Sequence, residues 1–168
     1  MKYFLYSSNL GEKVGSIGVC NFSPRQLQEL LDFCEQEGLP IPAVVQNECH
    51  PLLQAVKVRE LCNSYGIVFQ AYASLGAGSL KLLENEIVSN IANKLEVTSA
   101  QVLLRWAFQH GCAVVPKSVH SDRQRCNFDI FNFELPEEDM KELNSFESVD
   151  KDQNTMVGWL REHDPDFY

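Results

Sequence analysis

The residues best placed to do chemistry stand in four short clusters: Gly18-Val19-Cys20-Asn21-Phe22, Gln46-Asn47-Glu48-Cys49-His50-Pro51, Ala71-Tyr72-Ala73-Ser74-Leu75-Gly76 and Val115-Pro116-Lys117-Ser118. Asn and Gln side chains carry the amide donors and acceptor that another amide needs, and a tyrosine offers an aromatic face against which a flat ring can rest. Lys117 and Ser118, with Arg123 shortly after, are the cations and hydroxyl that a phosphate attracts. Taken singly each cluster has a plainer explanation. A lone tyrosine at a strand end more often packs a core, and a lone Lys-Ser pair is more often simply solvated. Glu48 and His50 have the composition of an acid and base pair, but at the end of an apolar run they are expected to be structural. Cys20 and Cys126 have no activating neighbour in sequence and are expected to be inert thiols.

What positions these clusters is an alternation of short apolar runs and amphipathic segments. The runs 16–19, 43–45, 67–71 and 113–115 are short, β-branched and without strict alternation, which predicts strands buried on both faces in a parallel sheet covered by helices. Each cluster immediately follows or ends one of these runs. In a (β/α) barrel the ligand site lies at that end of the strands.

The helices announce their starts. Ser23 with Gln26, Thr98 with Gln101 and Ser121 with Gln124 all have capping-box spacing, in which hydroxyl and amide side chains satisfy the free N–H groups of a first turn. After Ser23, Pro24 opens a helix predicted over 24–37, with Leu27, Leu30, Leu31 and Cys34 on one face and Gly38 as its stop. A second helix is predicted over 52–65, with Val58, Leu61 and Cys62 at helical spacing before Gly66, and a third over 84–95 through Ile87, Val88, Ile91 and Leu95. A fourth follows Thr98, with Val102, Leu103, Trp106 and Ala107 on one face; two more follow Ser121 and Pro136, the last carrying Met140, Leu143 and Phe146. Strand followed by helix, four times, is the signature of an α/β fold, whether open sheet or barrel.

Composition narrows the function classes. With 168 residues, 45% hydrophobic and 22% charged, the chain has the balance of one globular domain. Lys and Arg number 14 against 23 Asp and Glu, a formal charge of -9 with no basic run, so nucleic acid is excluded as a partner. No stretch approaches membrane-spanning length, and 1–10 does not read as a secretory leader. The six cysteines lie far apart with no C-x-x-C pair, which suggests neither a zinc site nor a dithiol redox motif; free thiols in a cytoplasmic protein are expected.

In order and spacing together, the four clusters resemble the aldo-keto reductases, whose fifth to eighth barrel strands end in GVSNF, Q-x-E-x-H-P, AYSPLG and IPKS. The resemblance covers about 15–146. It implies a partial TIM-type (β/α) barrel: four βα units corresponding to strands five to eight, plus a closing helix. It also implies the family's chemistry, reduction of aldehydes and ketones to alcohols with NADPH. Matched position by position, Asn21 and Gln46 would hydrogen-bond the nicotinamide carboxamide and Tyr72 would stack on its ring. Lys117 and Ser118 would hold the adenosine 2′-phosphate, Arg123 and Asn127 would serve phosphate and adenine, and Leu75 completes the cofactor-binding set.

The matches are incomplete in two ways. Cys20 stands for the serine of GVSNF, Ala73 for the serine after the stacking tyrosine, and Cys126 where many members have a glutamate that takes the adenine amino group. Each change removes about 0.5–1.5 kcal/mol, one hydrogen bond net, so NADP(H) binding is expected to be weakened rather than abolished. The segment after Gly76 is short for a loop that clasps the pyrophosphate. The family's catalytic Asp, Tyr, Lys and His come from the first half of the barrel, and 1–14 contains no Asp or His, so Tyr3, Tyr6 and Lys13 match none of them. The sequence therefore divides into an atypical segment 1–14, a half-barrel 15–147 and a tail 148–168, as from an alternative start or a truncated gene product. The expectation is a cofactor-side chain without its proton donor, or alternatively an inactive relative that binds nucleotide or protein. An open half-barrel face would also pair with itself or with a related barrel chain.

Overall fold

The computed structural model describes residues 14–78 and 80–146, so the tail 148–168 and all of the segment 1–14 except Val14 lie outside the described residues. Four short strands, β1 (Gly18–Cys20), β2 (Val44–Glu48), β3 (Val68–Tyr72) and β4 (Ala113–Val114), form one sheet in the order β1-β2-β3-β4. β1 runs parallel to β2 with Gly18 opposite Val44, and β3 runs parallel to β4 with Gln70 opposite Ala113. Gly18 permits the first pairing, because a Cβ there would lie 3.0 Å from the Val44 carbonyl oxygen. Six helices follow: α1 (Pro24–Gln36), α2 (Val56–Ser64), α3 (Glu86–Lys94), α4 (Ser99–Gln109), α5 (Ser121–Phe128) and α6 (Glu137–Asn144). The chain forms two compact units, one holding 14–47 and 56–69 of the described residues and the other 48–55, 70–78 and 80–146. No helix among the described residues is long and apolar enough to cross a membrane.

In the first unit α1 begins at the predicted capping box: Ser23 Oγ accepts from Gln26 N, and Gln26 Oε1 accepts from Ser23 N at 3.0 Å. Its buried stripe is Leu27, Leu30, Leu31 and Cys34, as the spacing predicts, and it packs beside α2 with buried Val58 and Cys62. Burial pushes the Cys34 thiol above its ordinary value, which keeps it protonated and unreactive.

The second unit is organised by α4, whose residues from Gln101 to Ala107 are all buried. A helix buried around most of its circumference needs partners for its polar groups, and Arg105 and Gln101 provide them. Arg105 donates from Nη1 to Ile130 O at 2.9 Å and from Nε to Gln109 Oε1 at 2.9 Å, while Gln101 donates to Asp129 O at 2.7 Å. These bonds hold the segment after α5 against α4. On another side Trp106 Nε1 donates to Asn144 Oδ1 at 2.7 Å, tying α4 to the closing helix α6. Glu48 and His50 are both buried and joined at 3.1 Å, in keeping with a structural role at the end of β2.

Three expectations need correction. The strands are not buried on both faces: in β2 and β3 Val45, Asn47, Phe69 and Ala71 are buried, whereas Val44, Gln46, Gln70 and Tyr72 are partly exposed and Val68 is exposed. One face is covered and the alternate side chains are not, which is the two-residue period of a half-covered sheet. α2 starts at Val56 rather than near 52, because His50 and Leu53 exchange backbone hydrogen bonds of 3.1 and 2.8 Å across a turn and Ala55 takes φ 48°. Ser121 is not the N-cap of α5. His120 occupies that position without a side-chain cap, Ser118 Oγ accepts from His120 N at 3.1 Å, and Gln124 Nε2 donates to Ser118 O at 2.7 Å.

Candidate functional site

The displaced cap shapes the site. Because Ser118 and Gln124 brace the loop between β4 and α5, Lys117 and Ser118 are held directly before the helix, and among the described residues the N-cap His120 makes no side-chain cap to its first turn. Those N–H groups carry the positive end of the helix dipole. A cleft of ≈ 690 Å³ opens there, and five of the eight residues expected to bind cofactor line it: Leu75, Lys117, Ser118, Arg123 and Asn127. Lys117 and Arg123 are exposed, and neither is ion-paired with another described residue. Asp122, also on the wall, lies 4.0 Å from Arg125, an exposed pair worth little in water. Asn127, on α5, is 9% exposed.

Leu75 reaches the cleft from the loop after β3. That loop turns sharply: Ala73 has φ 51°, Gly76 N donates to Ala73 O at 2.7 Å, and buried Ser74 donates to Ala71 O at 3.2 Å. Gly76, at φ 82°, leaves room for Leu82, whose Cδ1 would lie 3.1 Å from a Cβ there. Tyr72 ends β3, half-buried, and its carbonyl accepts from Cys49 N at 3.1 Å; it is not among the residues lining the cleft.

Asn21 and Gln46 belong to the other unit, Asn21 just after β1 and Gln46 within β2. They are joined through the backbone, Asn21 N donating to Gln46 O at 3.0 Å, and Asn21 takes the left-handed conformation at φ 57°, which asparagine tolerates best among residues with a side chain. Sequence reasoning missed several residues of these sites. His120 and the start of α4, Thr98 to Ala100, also line the cleft; the Thr98 capping box marked a helix start but nothing in the sequence placed that start beside Lys117. Asn47 stands inside the second cluster, where its residue type alone suggests no role.

The fold agrees with what the chain is similar to. The Aldo/keto reductase family model matches residues 11–148. An aldo-keto reductase of Mycobacterium sp. (strain JLS) is 43% identical over 83% of this chain and 48% of its own length. The NADPH-dependent D-xylose reductase of Meyerozyma guilliermondii is 39% identical over 80% of this chain and 45% of its own. Among solved structures, the aldose reductase from Schistosoma japonicum superimposes with a TM-score of 0.76 at 38% identity, covering 89% of this chain and 47% of that one. This chain belongs to the aldo/keto reductase family. It spans about half the length of the curated relatives it matches.

Proposed function

We propose that this chain is the cofactor side of an NADP(H)-dependent aldo-keto reductase, its strands corresponding to the fifth to eighth of the barrel and 15–147 forming the half-barrel. The observation that carries the reading is the cleft at the start of α5, where two unpaired cations meet the uncapped end of a helix. That chemistry fits the adenosine 2′-phosphate of NADPH, with Lys117, Ser118 and Arg123 around the phosphate and Asn127 toward the adenine. Asn21 and Gln46 would present amide groups to the nicotinamide carboxamide and Tyr72 would shield one face of its ring. The cofactor, when bound, supplies hydride for reducing an aldehyde or ketone to an alcohol. The relatives named as reductases, one of them NADPH-dependent, support this reading.

The family motifs that this chain matches all lie on the cofactor side, and no residue matches the catalytic Asp, Tyr, Lys and His. On its own it would bind NADPH weakly and turn over no carbonyl substrate. Titration of the chain with NADPH tests the binding reading, and absence of saturable binding would refute it.

One observation favours a second role, association with another chain. Phe108, Phe128 and Phe131 are 42%, 79% and 55% exposed and line a groove of ≈ 400 Å³ beside the short outer strand β4, with Phe131 packed edge to face against each of the other two. An apolar patch next to a sheet edge is a surface suited to a second copy or to a related barrel chain.

A further inference from the structure

We infer that Asn47 is a positioning residue for the nicotinamide end of the site, an inference that rests on reading Asn21 and Gln46 as carboxamide ligands. The alternation of β2 puts Gln46 on the partly exposed face and Asn47 on the covered one, where its side chain is 0% exposed. A buried amide requires partners. Asn47 finds two in a single residue across the sheet: its Oδ1 accepts from Phe22 N at 3.2 Å and its Nδ2 donates to Phe22 O at 2.8 Å.

Phe22 directly follows Asn21, and Asn21 N is itself bonded to Gln46 O at 3.0 Å. The turn leaving β1 is thus gripped on both sides by consecutive residues of β2, through the Gln46 backbone and the Asn47 side chain. Asn21, in its left-handed conformation, is fixed between these grips. Asn47 occupies an unspecified position of the Q-x-E-x-H-P pattern. An apolar side chain there would satisfy the pattern and fill the space, yet leave both backbone groups of Phe22 without this partner. The amide therefore sets where Asn21 stands relative to Gln46, and so how well the two can hold one planar ligand group.

The test compares NADPH with adenosine 2′,5′-bisphosphate, which carries the 2′-phosphate but no nicotinamide, on the full chain and on Asn47→Leu and Asn21→Ala. Expected is a loss of roughly tenfold in NADPH affinity for Asn47→Leu with bisphosphate affinity within about twofold, and a similar pattern for Asn21→Ala. A purely structural role would weaken both ligands alike. If the wild-type chain binds NADPH no more tightly than the bisphosphate, the carboxamide reading itself falls. If it binds NADPH more tightly and Asn47→Leu keeps the whole advantage, only the positioning role falls. Should Asn47→Leu fail to fold, hydrogen exchange on the wild-type chain decides: the Phe22 amide is expected to be protected at least about tenfold relative to a free peptide, and exchange at the free rate would overturn the clamp.

Discussion

Lys117 carries a charge that nothing else in the described structure neutralises, and at the residue scale that is its most informative property. If it serves the 2′-phosphate, Lys117→Met should remove most of the preference for NADPH over NADH and leave NADH binding nearly unchanged, because NADH offers that position no phosphate. Fluorescence titration of both cofactors against both proteins checks this, and an unaltered preference in the variant would detach Lys117 from the site. Which residues meet in the cleft was partly legible: Lys117, Ser118, Arg123 and Asn127 fall in and after one motif, and the loop carrying Leu75 brings it to them. His120 and Thr98 to Ala100 were not legible, because their arrival depends on how α4 lies beside the β4 loop, a tertiary fact that no local spacing encodes. Asn47 was hidden for a different reason. Its partners are the backbone groups of Phe22, and backbone leaves no trace in residue identity.

Elements are held by their ends and by a few buried polar side chains. The capping boxes of α1 and α4 were legible because the reciprocal bonds need only residues at fixed local spacing. The same spacing at Ser121 failed, since Ser118 and Gln124 had found a competing arrangement one step upstream. The late start of α2 was illegible for a similar reason: the turn closed by His50 and Leu53 overrides the helical periodicity that continues through it. Thr98→Ala should cost about 1 kcal/mol in chemical denaturation, the usual worth of an N-cap. Arg105→Met should cost more, roughly 1.5–3 kcal/mol, because it removes a charge-assisted bond to a buried carbonyl.

The link between α3 and α6 adds a pH dependence. Lys94 Nζ lies 2.6 Å from Glu138 Oε1 and 3.0 Å from Asp139 Oδ1. The hydrogen bond from Lys94 holds the Glu138 carboxyl below its usual value, and the bonds to Glu138 and then Asp139 hold the ammonium above its own. The Glu138 contribution is present above the unfolded carboxylate value of about 4.3 and fades as pH falls through the lower folded value. The Lys94 contribution is present below about 10.4 and fades as pH rises through the higher folded value. Thermal melts of the wild type and Lys94→Met should differ most between those limits and converge toward strong acid, whereas a gap independent of pH would show that the ion pairs contribute nothing.

For the whole molecule, the alternation of strand and helix was enough to give the α/β class, and the order of the four clusters gave the family; the half-covered sheet was not foreseen, because short apolar runs look alike whether one face or two is covered. The aromatic groove beside β4 makes association the expected behaviour in solution. Sedimentation should show self-association or binding of a dye that reports apolar surface, and a compact monomer that binds no dye would contradict it. If the chain supplies no proton donor, as proposed, NADPH oxidation with a panel of aldehydes should show no turnover, because the reaction then forgoes the roughly 10²- to 10⁴-fold contribution of proton donation. The most direct test of the account is a parallel titration of the full chain with NADPH and NADH at one ionic strength. Saturable binding that favours NADPH by roughly tenfold or more is the predicted result. Equal affinity for the two cofactors would contradict the phosphate site at α5 on which the account rests.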